Sequence, residues 1–259
     1  MHHLLGRKVI ICLIFCFSSF HFSFAQQTPQ KYNRTKRKVD INLPNYDDKR
    51  LHYGFYLGLA YTRMNIVHSE KFATGNYNNP NWNNKVSNVT PVGTIGFSLG
   101  FLLNVKIVDQ FHFKIVPSVG FYDRTLRYSY YSSTGADSTN DKSSTQTVES
   151  TFIETQFLFK YRSIRRKNHR FYLIGGVKPA IRVGGRRGDD NSDRLALGRM
   201  DFCVEYGVGI DLYYQFFKFS PELRFSHGLI NLATPDNNIY NQSILSAYSH
   251  TVSLLFFFE

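Results

Sequence analysis

The chain has 259 residues and a mean hydropathy of −0.29, a value too low for a protein that crosses membranes with helices. Aromatic residues nevertheless make up 16% of it, with 24 Phe and 17 Tyr, and its formal net charge is +12. Low hydropathy with many aromatic residues is typical of alternating strands with aromatic girdles, although an aromatic-rich soluble β-sandwich has the same composition.

The first 25 residues predict a cleavable export signal. Arg7 and Lys8 supply a positive start, and a short apolar segment follows them. Ser23 and Ala25 are the small residues that a cleavage site requires. A retained membrane helix is the alternative, but the apolar segment is short and interrupted by polar residues. We therefore predict an exported protein, for which nucleic acid is not an expected partner.

Residues 26–50 are polar and basic and contain almost nothing to bury. Lys31, Arg34 and the run 36–38 supply the positive charge. We interpret this segment as a flexible periplasmic arm, with a docking peptide as the alternative.

From residue 51 onward the chain alternates apolar and polar residues with period two, the pattern of strands with two different faces. The alternation is clearest in 204–212, where Val, Tyr, Ile and Leu alternate with Glu, Gly and Asp. The polar face is too charged for the core of a soluble sandwich, whereas a membrane barrel accepts it in the lumen. The predicted strands cover 51–64, 91–103, 111–130, 151–162 and 170–183, then a hairpin over 201–226 that turns at 213–216, and finally 246–259.

The connections between these strands alternate between long loops and short turns. The long loops cover 69–89, 132–148, 184–199 and 227–242, and the short turns cover 104–110, 163–169 and 213–216. This arrangement is typical of small outer-membrane barrels, in which the short turns face the periplasm. We therefore predict an all-β fold, an eight-stranded antiparallel transmembrane β-barrel over 51–259 that contacts outer-membrane lipid.

Two features disturb the strand pattern. The apolar positions change phase near 123–125, which predicts a bulge before Leu126. Pro117, Pro179 and Pro221 fall within predicted strands, where each removes a ladder hydrogen bond. Bulges are the expected way to accommodate these prolines as well.

Charged residues in the middle of the strands fall on the face predicted to line the lumen, with Arg63 as an exception at a strand end. A narrow lumen forces such charges to pair, so we predict a structural ion network rather than a catalytic site. Its members are Glu154, Lys160, Lys178, Arg182, Glu205, Asp211, Lys218, Glu222 and Arg224.

Candidate catalytic and metal-binding residues are few. His112, His227 and His250 could serve a small barrel enzyme, but they fall on different predicted strands or strand ends and form no recognisable signature. Cys203 is the one cysteine left after signal cleavage, so no cysteine-based metal site is expected. Aspartates in 189–193 do not have the spacing of a calcium loop. We therefore predict no catalytic, cofactor or metal site, and keep an enzyme or a ligand-binding or adhesin-type barrel as the alternative.

The turn between the strands 151–162 and 170–183 is strongly basic. Arg165, Arg166 and Lys167 stand together in it, and such a cluster can contact lipid phosphate or a protein partner. A simple solvated turn is an equally good interpretation. We keep the three residues as a candidate partner contact on the periplasmic side.

Three segments resemble one known family. They are 43–59 (LPNYDDKRLHYGFYLGL), 157–178 (FLFKYRSIRRKNHRFYLIGGVK) and 207–232 (GVGIDLYYQFFKFSPELRFSHGLINL). All three are similar to the PorT (SprT) family, outer-membrane β-barrel proteins tied to the type IX secretion system of Bacteroidota. The resemblance is most specific in 207–232 and covers most of the mature chain.

This resemblance implies a role in exporting proteins with C-terminal sorting signals across the outer membrane. It brings no catalytic residues, and the expected partners are other secretion-system proteins that meet the barrel on its periplasmic side. The partner protein, the step served and the oligomeric state do not follow from the sequence.

Overall fold

A computed structural model describes residues 41–74, 86–130, 143–183, 195–234 and 239–259. The predicted signal peptide, residues 26–40 of the predicted arm and the aspartates of 189–193 lie outside these ranges. No helix within the described ranges is long and apolar enough to span a membrane.

Nine β-strands and three short helices make up the regular structure of the described residues. The strands are β1 (Leu51–His68), β2 (Val86–Val92), β3 (Thr94–Lys106), β4 (Phe111–Tyr130), β5 (Ser143–Arg162), β6 (His169–Val183), β7 (Met200–Tyr213), β8 (Lys218–Gly228) and β9 (Ile244–Phe258). The helices are a 3-10 turn (Tyr46–Asp48), α1 (Glu70–Thr74) and α2 (Ile239–Gln242).

The strands form a closed ring. From β3 to β9 each strand pairs antiparallel with the next one in the chain, and β1 pairs with both β3 and β9. β2 and β3 are two parts of one barrel strand interrupted at Gly93, because both pair with β4. The ring therefore has eight positions and no open edge, which confirms the predicted eight-stranded antiparallel barrel.

The wall of the barrel carries an apolar outer band. Between Leu51 and Tyr61 of β1, every second residue points outward and is a large apolar or aromatic side chain. A tilted strand needs about 9–11 residues to cross a bilayer, so this stretch spans it once. Aromatic pairs such as Phe55 with Phe258, whose ring centroids are 5.2 Å apart, join neighbouring strands across the band.

The polarity of the barrel is inverted beyond the band. Towards the long-loop end the outward residues of β4 are polar, whereas the inward Leu126 and Tyr128 are fully buried. They belong to an apolar cluster that fills this end of the barrel: Met64, Val86, Val89, Leu126, Tyr128, Leu195, Leu197, Leu232, Ile244 and Ala247. Outside the bilayer water replaces lipid around the wall, so this end is built like a soluble barrel.

The apolar positions of β4 do change phase near 123–125, but the bulge predicted there is wrong. The pairing of β4 with β5 keeps a single register through these residues. The apolar side chains change from the outward to the inward face because the surroundings of the wall change. A one-residue shift occurs instead in the neighbouring strand, between its β2 and β3 parts around Gly93.

The three in-strand prolines are accommodated without bulges. Pro117, Pro179 and Pro221 face outward and stay paired in one of their two ladders. The other ladder skips two residue pairs at each proline and resumes in the same register. An antiparallel residue donates its N–H to one neighbour only, so each proline disturbs a single seam.

Several strands are longer than predicted. β5 begins at Ser143, within the predicted loop 132–148, and α1 and β2 occupy parts of the predicted loop 69–89. The start of β5, residues 143–149, is polar on both faces apart from Val148, which packs against the apolar cluster. Such a segment lacks the apolar alternation by which a strand is recognised.

Candidate functional site

A buried ion network fills the part of the lumen that lies within the apolar band. Its first half centres on Glu222, whose Oε2 lies 2.9 Å from Nζ of Lys114 and whose Oε1 accepts hydrogen bonds from Arg224. Arg224 also contacts Glu205, with Nη1 3.2 Å from Oε2. Lys178 extends the network, because its Nζ lies 3.3 Å from Oε1 of Glu205.

The second half of the network centres on Asp211. Its Oδ1 lies 2.8 Å from Nζ of Lys160 and 3.8 Å from Nζ of Lys218, and it accepts a hydrogen bond from Ser220. Lys218 in turn lies 2.8 Å from Oε2 of Glu259. All of these side chains are almost completely buried, so each charge depends on its neighbours for compensation.

Eight of the nine residues predicted for the network lie in this lumen. Glu154 joins the network through Lys178, whose Nζ lies 3.6 Å from Oε2 of Glu154. Arg182 does not: it is half-buried at the end of β6, and its guanidinium donates to the carbonyl of Leu197 at 2.7 Å. It lies at the level of the apolar cluster, which includes Leu197, and beyond the charged part of the lumen.

Three network contributions were missed. Lys114 and the pair of Arg124 with Asp201, whose Nη2 and Oδ2 are 2.8 Å apart, follow the inward parity of their strands and could have been found from it. Glu259 directly follows β9 with the same parity as the inward Leu255 and Phe257, so it too could have been found from the alternation.

The short-turn end of the barrel is covered by residues 41–50. Asp47 of the 3-10 turn contacts guanidinium nitrogens of Arg162 and Arg170, each at 3.1 Å. Tyr46 donates its hydroxyl proton to Glu259 at 2.7 Å and stacks on His52, with ring centroids 4.1 Å apart. We call residues 41–50 the cap.

The cap changes the interpretation of the predicted arm. Four of its last ten residues, Asn42, Leu43, Tyr46 and Asp47, are partly buried and hydrogen-bonded at the rim. The Asn42 side-chain amide donates to the carbonyl of Tyr213, and the Asn42 backbone N–H donates to Oδ1 of Asn168, both at 2.9 Å. Polar residues with little to bury order here because the barrel rim supplies arginines and carbonyls as partners.

The electrostatics of the cap follow from this rim. Burial raises the pKa of the Asp47 carboxyl, but the guanidinium groups of Arg170, Arg162 and Arg165 outweigh burial and hold that pKa below its usual range. Burial, together with the carboxylate of Glu259, raises the pKa of Tyr46 well above its ordinary value. The cap is therefore bound as an anionic Asp47 and a neutral Tyr46 at neutral pH.

The basic turn divides into one bound and two exposed residues. Arg165 stacks on Tyr213, with its guanidinium carbon 3.7 Å from the ring centroid, and donates to cap carbonyls. Arg166 and Lys167 are exposed to solvent. Of the three predicted contact residues, only these two present their charge at the surface.

Apolar side chains are also exposed at the short-turn end. Ile164, next to Arg165, is 78% exposed, and Phe216 in the turn between β7 and β8 is 90% exposed. Exposed apolar and exposed positively charged side chains therefore both occur at this end of the barrel.

The candidate histidines do not form one site. His112 is buried inside the lumen, with Nδ1 3.1 Å from Oδ1 of Asn104. His227 and His250 lie on the outward face of β8 and β9. Within the described ranges, no group of three or more His, Cys, Asp or Glu residues is placed to hold a metal ion.

The closed antiparallel ring, the apolar outer band and the ion-filled lumen define an outer-membrane β-barrel protein of the small, eight-stranded class. The chain belongs to the family described as outer membrane protein beta-barrel domain, whose model matches residues 24–234. The protein is accordingly placed in the cell outer membrane.

A comparison with solved structures found proteins of low sequence identity to this chain. Neisserial surface protein A shares 8% identity at a TM-score of 0.39, over 81% of this chain and 98% of that one. The outer membrane protein OprG from Pseudomonas aeruginosa shares 9% identity at a TM-score of 0.39, over 79% of this chain and 93% of that one. Ail of Yersinia pestis shares 10% identity at a TM-score of 0.32, over 81% of this chain and 99% of that one. A comparison with curated proteins found no match.

Proposed function

We propose that this barrel is a non-enzymatic accessory component of protein secretion that acts through protein contacts at its periplasmic end. The observation that carries this proposal is the filled interior. Paired buried charges occupy the lumen within the membrane, the apolar cluster fills the long-loop end, and the cap covers the short-turn end. A barrel filled in this way offers its surfaces, not its lumen, to other molecules.

The periplasmic end supplies the more suitable contact surface. The cap is fixed to the rim by Asp47 and Arg165, so it presents a defined shape. Arg166 and Lys167 add exposed positive charge beside the exposed Ile164. Such a mixed surface suits an acidic or extended segment of a partner protein, because charge guides the encounter and the apolar side chains add area to bury.

Type IX secretion is the specific system that we propose. The support is the resemblance of 43–59, 157–178 and 207–232 to the PorT family. Segment 43–59 contains most of the cap, segment 157–178 contains the basic turn, and segment 207–232 contains the hairpin of β7 and β8. The resemblance therefore includes the parts that build the periplasmic end.

A charge-reversal experiment tests this function. The double variant Arg166→Glu/Lys167→Glu should strongly reduce the secretion of proteins with C-terminal sorting signals, because it inverts the exposed charge without removing a contact of the cap. Arg165 is left unchanged because it binds the cap. Secreted protein is measured in culture medium by mass spectrometry, alongside a deletion strain.

The matched control is Arg127→Glu/Arg199→Glu, which reverses two exposed arginines towards the long-loop end. It should leave secretion intact, as should shortening of 131–142. Heat-modifiable migration of each variant verifies that the barrel assembles. A secretion defect in the control or the loop deletion, with none in the turn variant, would place the partner surface on the external side and refute the proposal.

A further inference from the structure

A row of polar side chains crosses the outward wall directly beyond the apolar band. Arg63 of β1 stands opposite His250 of β9, and His250 stands opposite His227 of β8. The next row towards the membrane consists of Tyr61, Val252 and Phe225, in the same cross-strand order. The polar row thus lies where lipid tails end and headgroups begin.

Two close contacts connect this row to Tyr206 of β7. The Tyr206 hydroxyl lies 3.0 Å from Nε2 of His227, and Nδ1 of His227 lies 2.7 Å from Nδ1 of His250. When the Tyr206 O–H donates to His227, the proton of His227 sits on Nδ1 and is donated to His250. The remaining proton of His250 then sits on Nε2, where it can be donated to an acceptor outside the barrel.

Arg63 supplies a permanent charge beside this donor. It is exposed, and no carboxylate among the described residues forms an ion pair with it. Neighbouring strands are about 4.8 Å apart, so the side chains of Arg63 and His250 can reach one anion together. A guanidinium binds phosphate through two parallel N–H donors, which adds geometry to the charge.

We propose that Arg63 and His250 bind the phosphate of a lipid headgroup in the outer leaflet, with His227 and Tyr206 holding the His250 ring as a donor. The long loops place this rim on the external side of the membrane, where the phosphorylated lipid is lipid A. The acyl chains of the bound lipid lie on the apolar row below, against Tyr61.

Lipid titration of the full mature protein in detergent tests this site. Bisphosphorylated lipid A, dephosphorylated lipid A and inorganic phosphate are added separately, with a chelator present, and binding is followed by native mass spectrometry. We expect binding of bisphosphorylated lipid A alone. In Arg63→Gln/His250→Gln its apparent affinity should fall roughly tenfold or more, because a charge-assisted pair of donors is lost.

The control is Arg127→Gln, which removes an exposed arginine of β4 outside the row and should bind lipid A like the unchanged protein. Heat-modifiable migration verifies that both variants are folded. Equal binding of dephosphorylated lipid A, binding of inorganic phosphate with the same affinity, or unchanged affinity of the double variant would each overturn the proposal. None of these outcomes depends on the secretion function, since the site lies at the opposite end of the barrel.

Discussion

At the scale of single residues, the lumen is a set of carboxylates that each contact more than one donor. Glu222 contacts Lys114 and Arg224 and also accepts a hydrogen bond from Tyr172 at 2.9 Å. Its inward direction follows from strand parity and was predictable. Its pairing with Lys114, 108 residues away in sequence, was not, because it depends on the tilt and stagger that bring β4 and β8 together across the lumen.

Glu222→Ala should destabilise the barrel by about 3–5 kcal/mol, because two buried cations lose a partner that water cannot replace. Leu223→Arg, at the next position, should cost roughly 2–4 kcal/mol for a different reason: Leu223 faces lipid and is 39% exposed to the surroundings. Urea titration of protein refolded into lipid vesicles measures both. Glu149→Ala, at an exposed position of β5, is the control, and an effect of Glu222→Ala no larger than that of the control would contradict the proposed pairing.

At the scale of elements, the ordered cap could not be predicted from a sequence pattern. The strands could be recognised by period-two alternation, but the cap has no periodicity. It is held in place by Arg162, Arg165 and Arg170, which meet at the rim and all contact Asp47. These arginines come from the end of β5, the following turn and the start of β6. A short polar segment of this kind resembles a linker until its partners are known.

The cap should loosen when Asp47 is neutralised. The folded-state pKa of Asp47 is depressed, so its stabilising contribution is complete above the unfolded pKa of about 4 and is lost as pH falls through the folded value. Asp47→Asn should therefore speed hydrogen exchange of the Tyr46 amide, which bonds the Leu43 carbonyl, at neutral pH. The difference from the unchanged protein should shrink at strongly acidic pH. Asp48→Asn, at an exposed position, is the control, and equal effects of both variants would argue against the Asp47 contacts.

At the scale of the whole molecule, the alternation of apolar and polar residues has opposite orientations in two zones of the barrel. Within the bilayer, alternation places apolar residues outside and charges inside. Beyond it, the same alternation places Leu126 and Tyr128 inside and Arg127 outside. The number of barrel strands, their order and their direction could be predicted because each strand alternates where it crosses the apolar band. The level at which polarity inverts is marked in β4 by the change of phase near 123–125, but a bulge produces the same pattern, so the sequence alone did not distinguish the two.

A filled barrel makes a simple chemical prediction. Cys203, the cysteine that remains after removal of the predicted signal, is buried on the inward face of β7, with Sγ 3.7 Å from the Ser249 hydroxyl. A water-filled channel would expose its thiol to a small membrane-impermeant maleimide, whereas a filled interior excludes the reagent. We therefore expect no labelling of the native protein in detergent and complete labelling after heating in SDS.

A Ser163→Cys variant, at an exposed position of the short turn between β5 and β6, is the control and should label at once at its new cysteine. Rapid native labelling of Cys203 itself would show a hydrated lumen and would remove the main support for function through surface contacts.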